Sequence, residues 1–388
     1  MGGRVGIDRP HIAEGFRPSL IGKVAVDFDG VISRANRLFY EGISRTVDHY
    51  YKVILGLGGA VGRLVSDGEI SALKGTGLFN NDWDLTRVLI AYYLALIYRD
   101  LEERGGADGI SQRLGEVGPR DLMDGLGEYM RSKGLNLRAL VEGKREFPIE
   151  ALASRLGGAG LGGEDALDAI IDFVMPTQRG GDLKRISRRL VGLEGGGGDL
   201  VKDLFEGIYL GPDLYRRFYG RGARFGFGGG LIYSERLLPT EGALRELSDR
   251  FGRLGIYSER SRAQAEYLLE KWGVSDEFDL PNSVFVEDIA EYASSVGAPR
   301  SAMGKPNPEP FLRFLASFGG GLDAIYVGDS LSDLYLVGNA KAMGHGGVSF
   351  AGVLSDCEDP RAMAAAFLRG GASAVMWDLN QLPGVLGI

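Results

Sequence analysis

The hydrophobic pattern of the chain changes character twice. Near the start, the apolar run Val24-Ala25-Val26 leads straight into Asp27-Phe28-Asp29-Gly30-Val31. A short continuous apolar run ending at a glycine reads as a buried strand of a parallel sheet, expected over residues 21–28. From Ser33 the spacing becomes helical, with Leu38, Ile43, Val47 and Tyr51 recurring three to five residues apart. A long apolar helix is expected over 85–99. Short amphipathic helices are expected at 119–132, 135–142, 148–156, 164–174, 183–190, 200–209 and 212–218. Beyond residue 237 the pattern changes back. Helices at 241–251, 261–272, 308–318, 331–341 and 361–368 alternate with strands at 254–258, 283–286, 323–327, 347–350 and 374–377.

Strands alternating with helices predict an α/β fold with a doubly wound parallel sheet. The first strand needs partners, and only the C-terminal part of the chain offers them. The expected sheet domain is therefore discontinuous, residues 21–30 plus 237–388. A mainly helical domain, 31–236, is inserted between its two pieces, and residues 1–20 form an N-terminal tail. Glycine, at 62 residues, sharpens this division. Its runs at 157–163, 195–198 and 226–230 all fall in the helical part and read as soft connections.

Charge and cysteine content narrow the function classes. The 52 acids against 44 bases give a net charge of −8, which argues against nucleic acid as a partner. A single cysteine, Cys357, allows no internal disulfide and fits a reducing, cytoplasmic location. No apolar run approaches the roughly 20 residues of a spanning helix. The first residues lack the apolar core of a signal peptide, so no membrane partner is expected.

Three motifs need weighing. Gly56-x-Gly58-x-x-x-Gly62 is similar to a dinucleotide fingerprint. That fingerprint needs a preceding strand and a following βαβ unit, and the segment before Gly56 reads as helical. Asn80-Asn81-Asp82-Trp83 reads either as a helix cap with a buried anchor or as a polar cluster reaching a substrate. The basic clusters Lys184/Arg185/Arg188/Arg189 and Arg216/Arg217/Arg221/Arg224 read either as solvated faces or as an anion-binding wall.

The chemistry lies at strand ends. Asp27 and Asp29 follow the first strand, and acids at i and i+2 on an extended segment point to one side. Ser258 ends Gly255-Ile256-Tyr257-Ser258, and Lys305 lies in Gly304-Lys305-Pro306-Asn307-Pro308. Asp329 and Asp333 end Tyr326-Val327-Gly328-Asp329-x-x-x-Asp333. In a parallel sheet all these ends share one edge. Several carboxylates at one place need a cation, and oxygen ligands suit Mg²⁺ with a substrate phosphate. Lys305, the Ser258 hydroxyl and the backbone amides opening the next helix could hold phosphoryl oxygens. Ile-Tyr-Ser-Glu-Arg occurs twice, at 232–236 and 256–260. Only the second copy lies inside the alternating pattern, which favours Ser258 over Ser234.

Asp27-x-Asp29-Gly30-Val31, then Ser258, Lys305 and Gly328-Asp329-x-x-x-Asp333, in that order, resembles the haloacid dehalogenase-like hydrolase superfamily. The insertion after the first motif resembles the helical cap of its phosphoglycolate phosphatase-like members, here enlarged. In that family the cap closes over the site and selects the substrate. The resemblance implies Asp27 as nucleophile, forming an aspartyl-phosphate, and Asp29 as general acid and base. It implies Mg²⁺ held by Asp27, the Asp29 carbonyl and Asp329, with Asp333 behind them. Ser258, Glu259 and Lys305 would bind the phosphoryl group. The activity implied is a Mg²⁺-dependent phosphatase acting on a small phosphorylated metabolite. The alternatives are a phosphomutase on the same machinery and an inactive binding protein.

Overall fold

The computed structural model describes residues 9–79, 81–104, 119–175, 180–191, 199–225, 228–319 and 321–388. The chain divides into two units, 1–37 with 235–388 and 38–234.

The first unit is built on a six-stranded sheet. Its strands are β1 (His11–Ile12), β2 (Ile21–Val26), β5 (Gly255–Ile256), β6 (Asp323–Gly328), β7 (Val348–Val353) and β8 (Ala374–Met376). The spatial order is β1-β8-β7-β6-β2-β5, with only β1 antiparallel. This is the expected doubly wound α/β architecture. β2 lies between β5 and β6, so the chain turns to one side of it first and to the other side next. Such a switch point leaves a crevice at the carboxyl ends of the strands. The interior around β6 is aromatic, with Tyr257, Phe311, Phe314, Tyr326 and Phe350 all buried.

Within the N-terminal tail, His11–Ile12 adds an antiparallel rung to β8. Two sequence expectations change. Residues 283–286 make no strand. Val284 forms one isolated bridge to Tyr257, and Asp288 accepts the Phe285 N–H at 2.8 Å, starting a helix at Val286. The helix expected from Ser33 begins instead at Asn36, because Ser33–Arg34 forms strand β3 against β4 (Arg236–Leu237).

Every regular element described in the second unit is a helix. Asp82–Glu103 is its long apolar helix, buried from Leu85 to Tyr98. The segment Leu200–Tyr219 is two helices broken at Gly211, whose φ of 72° suits glycine. A Cβ there would lie 2.6 Å from the Gly230 nitrogen, and Pro212 brings no N–H to continue the ladder. No described helix is long and apolar enough to cross a membrane.

Candidate active site

β2 sets the position of Asp27. Its N–H donates to the Val327 carbonyl at 2.8 Å, carrying the β2–β6 ladder one residue past the strand. Phe28 then turns the chain, its carbonyl accepting from Ile32 and Ser33. Gly30 is fixed by two constraints. Its φ is 73°, and a Cβ would stand 1.9 Å from an Asp329 carboxylate oxygen. Any other residue would be strained and would displace Asp329.

The end of β6 supplies the facing wall. Ser330 caps the Leu331–Ala342 helix in a reciprocal box with Asp333, which is fully buried. Tyr326 donates to Asp333 at 3.2 Å, and Asn36 donates to Asp329 at 2.9 Å. Lys305, itself buried, reaches Asp27 at 2.7 Å and Asp333 at 2.8 Å. The remaining Asp27 oxygen accepts the Phe28 N–H at 2.8 Å.

Asp27, Asp329 and Asp333 each offer an oxygen within 4.8 Å of the others. Were all three carboxyls ionised, the Lys305 ammonium would offset only one of their three charges within this cluster. Burial pushes the Asp329 carboxyl well above the usual range, and Asp333 and Asp27 push it further. Asp27 is raised as well, by burial, with Lys305 opposing. Burial works against the Lys305 charge, but Asp27 and Asp333 outweigh it and hold its pKa above the ordinary value. An all-oxygen donor set of three carboxyls fits a hard divalent cation.

Asp29 stands apart from Lys305 and meets a different cation. Arg260 Nη1 donates to it at 2.6 Å. The same guanidinium is gripped by Glu235, at 2.5 Å through Nη2 and 2.9 Å through Nη1. Ser33 also bonds to Glu235. Burial lifts Asp29 to about 7, with Arg260 opposing and Glu235 and Asp27 adding to the rise. Ser258 is buried just beyond β5, its N–H donating to Val284 at 3.0 Å. Its hydroxyl oxygen accepts the Arg260 N–H at 3.3 Å. Glu259 is raised to about 7 by burial, with Lys305 pulling the other way.

Residue-by-residue reasoning missed Arg260, Glu235 and Asn36. The signal for two of them was present, since Glu235 and Arg260 belong to the two copies of Ile-Tyr-Ser-Glu-Arg.

Within the helical unit, Asn81 caps its helix by accepting from Trp83 and Asp84. Asn80 lies outside the described residues. Trp83 Nε1 donates to the buried Glu206 at 3.0 Å, under the Lys202 ammonium. Of the basic clusters, Lys184 pairs with Asp172, Arg188 with Asp168 and Arg221 with Asp203.

The fold is a doubly wound α/β sheet that switches at β2, with the chain leaving for the helical unit just after β2 and acids at the carboxyl edge. A crystallised Northeast Structural Genomics Consortium target shares it at 22% identity, with a TM-score of 0.64 over 94% of this chain and 98% of its own. A phosphatase of Thermococcus thioreducens is 20% identical over 90% of this chain and 99% of its own, at a TM-score of 0.43. A predicted phosphoglycolate phosphatase of Haemophilus somnus is 12% identical over 94% and 98%, at 0.39. No protein-family model and no curated protein matches the chain.

Proposed function

We propose that this protein is a phosphomonoester hydrolase of the haloacid dehalogenase-like superfamily, acting on a small phosphorylated metabolite. The observation that carries the reading is the pairing of two acids two residues apart with two different cations. Asp27 faces Lys305 among the carboxylates, while Asp29 faces Arg260 away from them.

Asp27 and Asp329, with the Asp29 carbonyl, would hold Mg²⁺, and Asp333 would fix Lys305 behind them. Bound there, the ion would neutralise phosphoryl charge and draw the phosphate toward Asp27. Asp27 attacks phosphorus, a new O–P bond forms, and the bond to the leaving oxygen breaks. Asp29, which titrates near neutrality, gives its proton to that oxygen. It then takes a proton from the water that attacks the aspartyl-phosphate, which releases phosphate and restores Asp27. Lys305, the Ser258 hydroxyl and the Glu259 backbone amide supply donors for the phosphoryl oxygens.

The test is a panel of phosphorylated metabolites with Mg²⁺, scored for free phosphate, alongside Asp27→Asn and a chelator. Release that stops under both supports the reading. Undiminished release from Asp27→Asn sinks the nucleophile assignment, and isomer exchange without release would make the protein a mutase.

A further inference from the structure

Arg260 has no part in the steps above, yet it is among the most enclosed charged groups of the sheet unit. Its side chain is 1% exposed and that of Glu235 is 0%. Two-pronged contact from Glu235 fixes the guanidinium plane, and the Arg260 guanidinium lies 5.1 Å over the Phe28 ring. Phe28 is the residue between the two acids. Ser33, in the β3–β4 ribbon, bonds to Glu235 from behind. The guanidinium is therefore held directly by Glu235 and Phe28, and through Glu235 by Ser33, beside Asp29. A planar fork held by Glu235 turns the second Nη1 N–H toward Asp29 in one direction. We propose that Arg260, clamped by Glu235, is a positioning residue that holds the Asp29 carboxyl in line for proton transfer to and from the reacting oxygens. The proposal rests on the hydrolase reading, and in particular on the role of Asp29.

A rigid anchor of this kind matters because a positioned acid or base accounts for about 10²–10⁴ of rate, and misplacing it forfeits much of that. Lysine at this position would keep the positive charge and lose the fork. Glutamine in place of Glu235 would keep the shape of the clamp and lose its charge.

The experiment is a kinetic double-mutant cycle on a phosphomonoester that the wild type hydrolyses. Arg260→Lys is measured alone and in the Asp29→Asn background, with circular dichroism and thermal melts to check folding. Acting through Asp29, Arg260→Lys lowers kcat by about tenfold or more with KM within about twofold, and changes the Asp29→Asn enzyme by less than about twofold. Glu235→Gln shows the same dependence on Asp29 with a smaller loss, and serves if Arg260→Lys does not fold. Equal fold-losses in both backgrounds, or wild-type kcat in both folded variants, overturn the positioning role and leave the hydrolase reading standing. Full activity in Asp29→Asn overturns the proton-transfer role of Asp29 and this inference with it, and no phosphate release from any monoester by the wild type overturns the hydrolase assignment as well.

Discussion

Residues 232–236 and 256–260 have one sequence, Ile-Tyr-Ser-Glu-Arg, and opposite fates. In the first copy a 3₁₀ turn leaves Tyr233 and Ser234 exposed, Glu235 is buried, and Arg236 opens β4 with its side chain in solvent. In the second copy Ile256 ends β5, Tyr257 and Ser258 are buried, and Arg260 is enclosed while Glu259 is only partly covered. The two copies bury complementary halves of the same dipeptide: the acid from one, the base from the other. They then pair with each other. Local propensity is identical, so the difference comes from context alone. A strand neighbour carries 256–258 into the sheet, whereas 232–234 lacks one. Identical pentapeptides are no guide to role without the element that follows them.

Experiments can break this contrast from its strongest point downward. Asp27→Asn sets the floor, with a fall of about a thousandfold or more in kcat measured by phosphate release, whichever copy is intact. Arg260→Ala leaves Glu235 buried without its guanidinium and should cost about 3–5 kcal/mol in urea unfolding. Arg236→Ala, the same residue of the other copy, should leave the unfolding midpoint unchanged. Ser258→Ala removes a donor at the carboxyl edge and should lower kcat/KM about tenfold to a hundredfold, while Ser234→Ala stays within about twofold. A Ser234 effect as large as that of Ser258 would reverse the assignment.

The pH dependence of stability is the finest test. Asp29 and Glu259 hold their protons to about pH 7 when folded and to about pH 4 when unfolded. Between those values the folded state binds more protons. Their contribution is therefore complete below pH 4 and is lost as pH rises through 7. In chelator, Glu259→Gln should flatten the fall in Tm between pH 5 and pH 8 relative to wild type. An unchanged slope would mean that Glu259 ionises normally.

Much of the sheet was legible because buried parallel strands leave continuous apolar runs, as at 24–26 and 323–327. The error at 283–286 arose where such a run is only one bridge long and a helix cap competes for the same backbone. At the edge, Asp27, Lys305, Asp329 and Asp333 could be brought together from sequence because each stands at the end of a strand or opens a loop beside one. Arg260 could not. Its importance depends on a partner 25 residues away, just before a returning strand, and no periodicity encodes that pairing. Asn36 was hidden for a similar reason: its amide looks like an ordinary helix start until Asp329 is placed beside it.

The β3–β4 ribbon has a further consequence. Ser33 pairs with Leu237 and Arg34 with Arg236 in antiparallel register, which makes the two strands a hairpin. Hairpin loops usually have about two to five residues, and this one runs from residue 35 to 235. Closing a longer loop costs only logarithmically more, so the ladder does not depend on what the loop contains. Asn36 and Glu235 stay with the sheet unit, just inside its boundaries at Arg37 and Glu235. The interval 38–234 can therefore differ in length at little cost to the pairing of Ser33 with Leu237 and of Arg34 with Arg236.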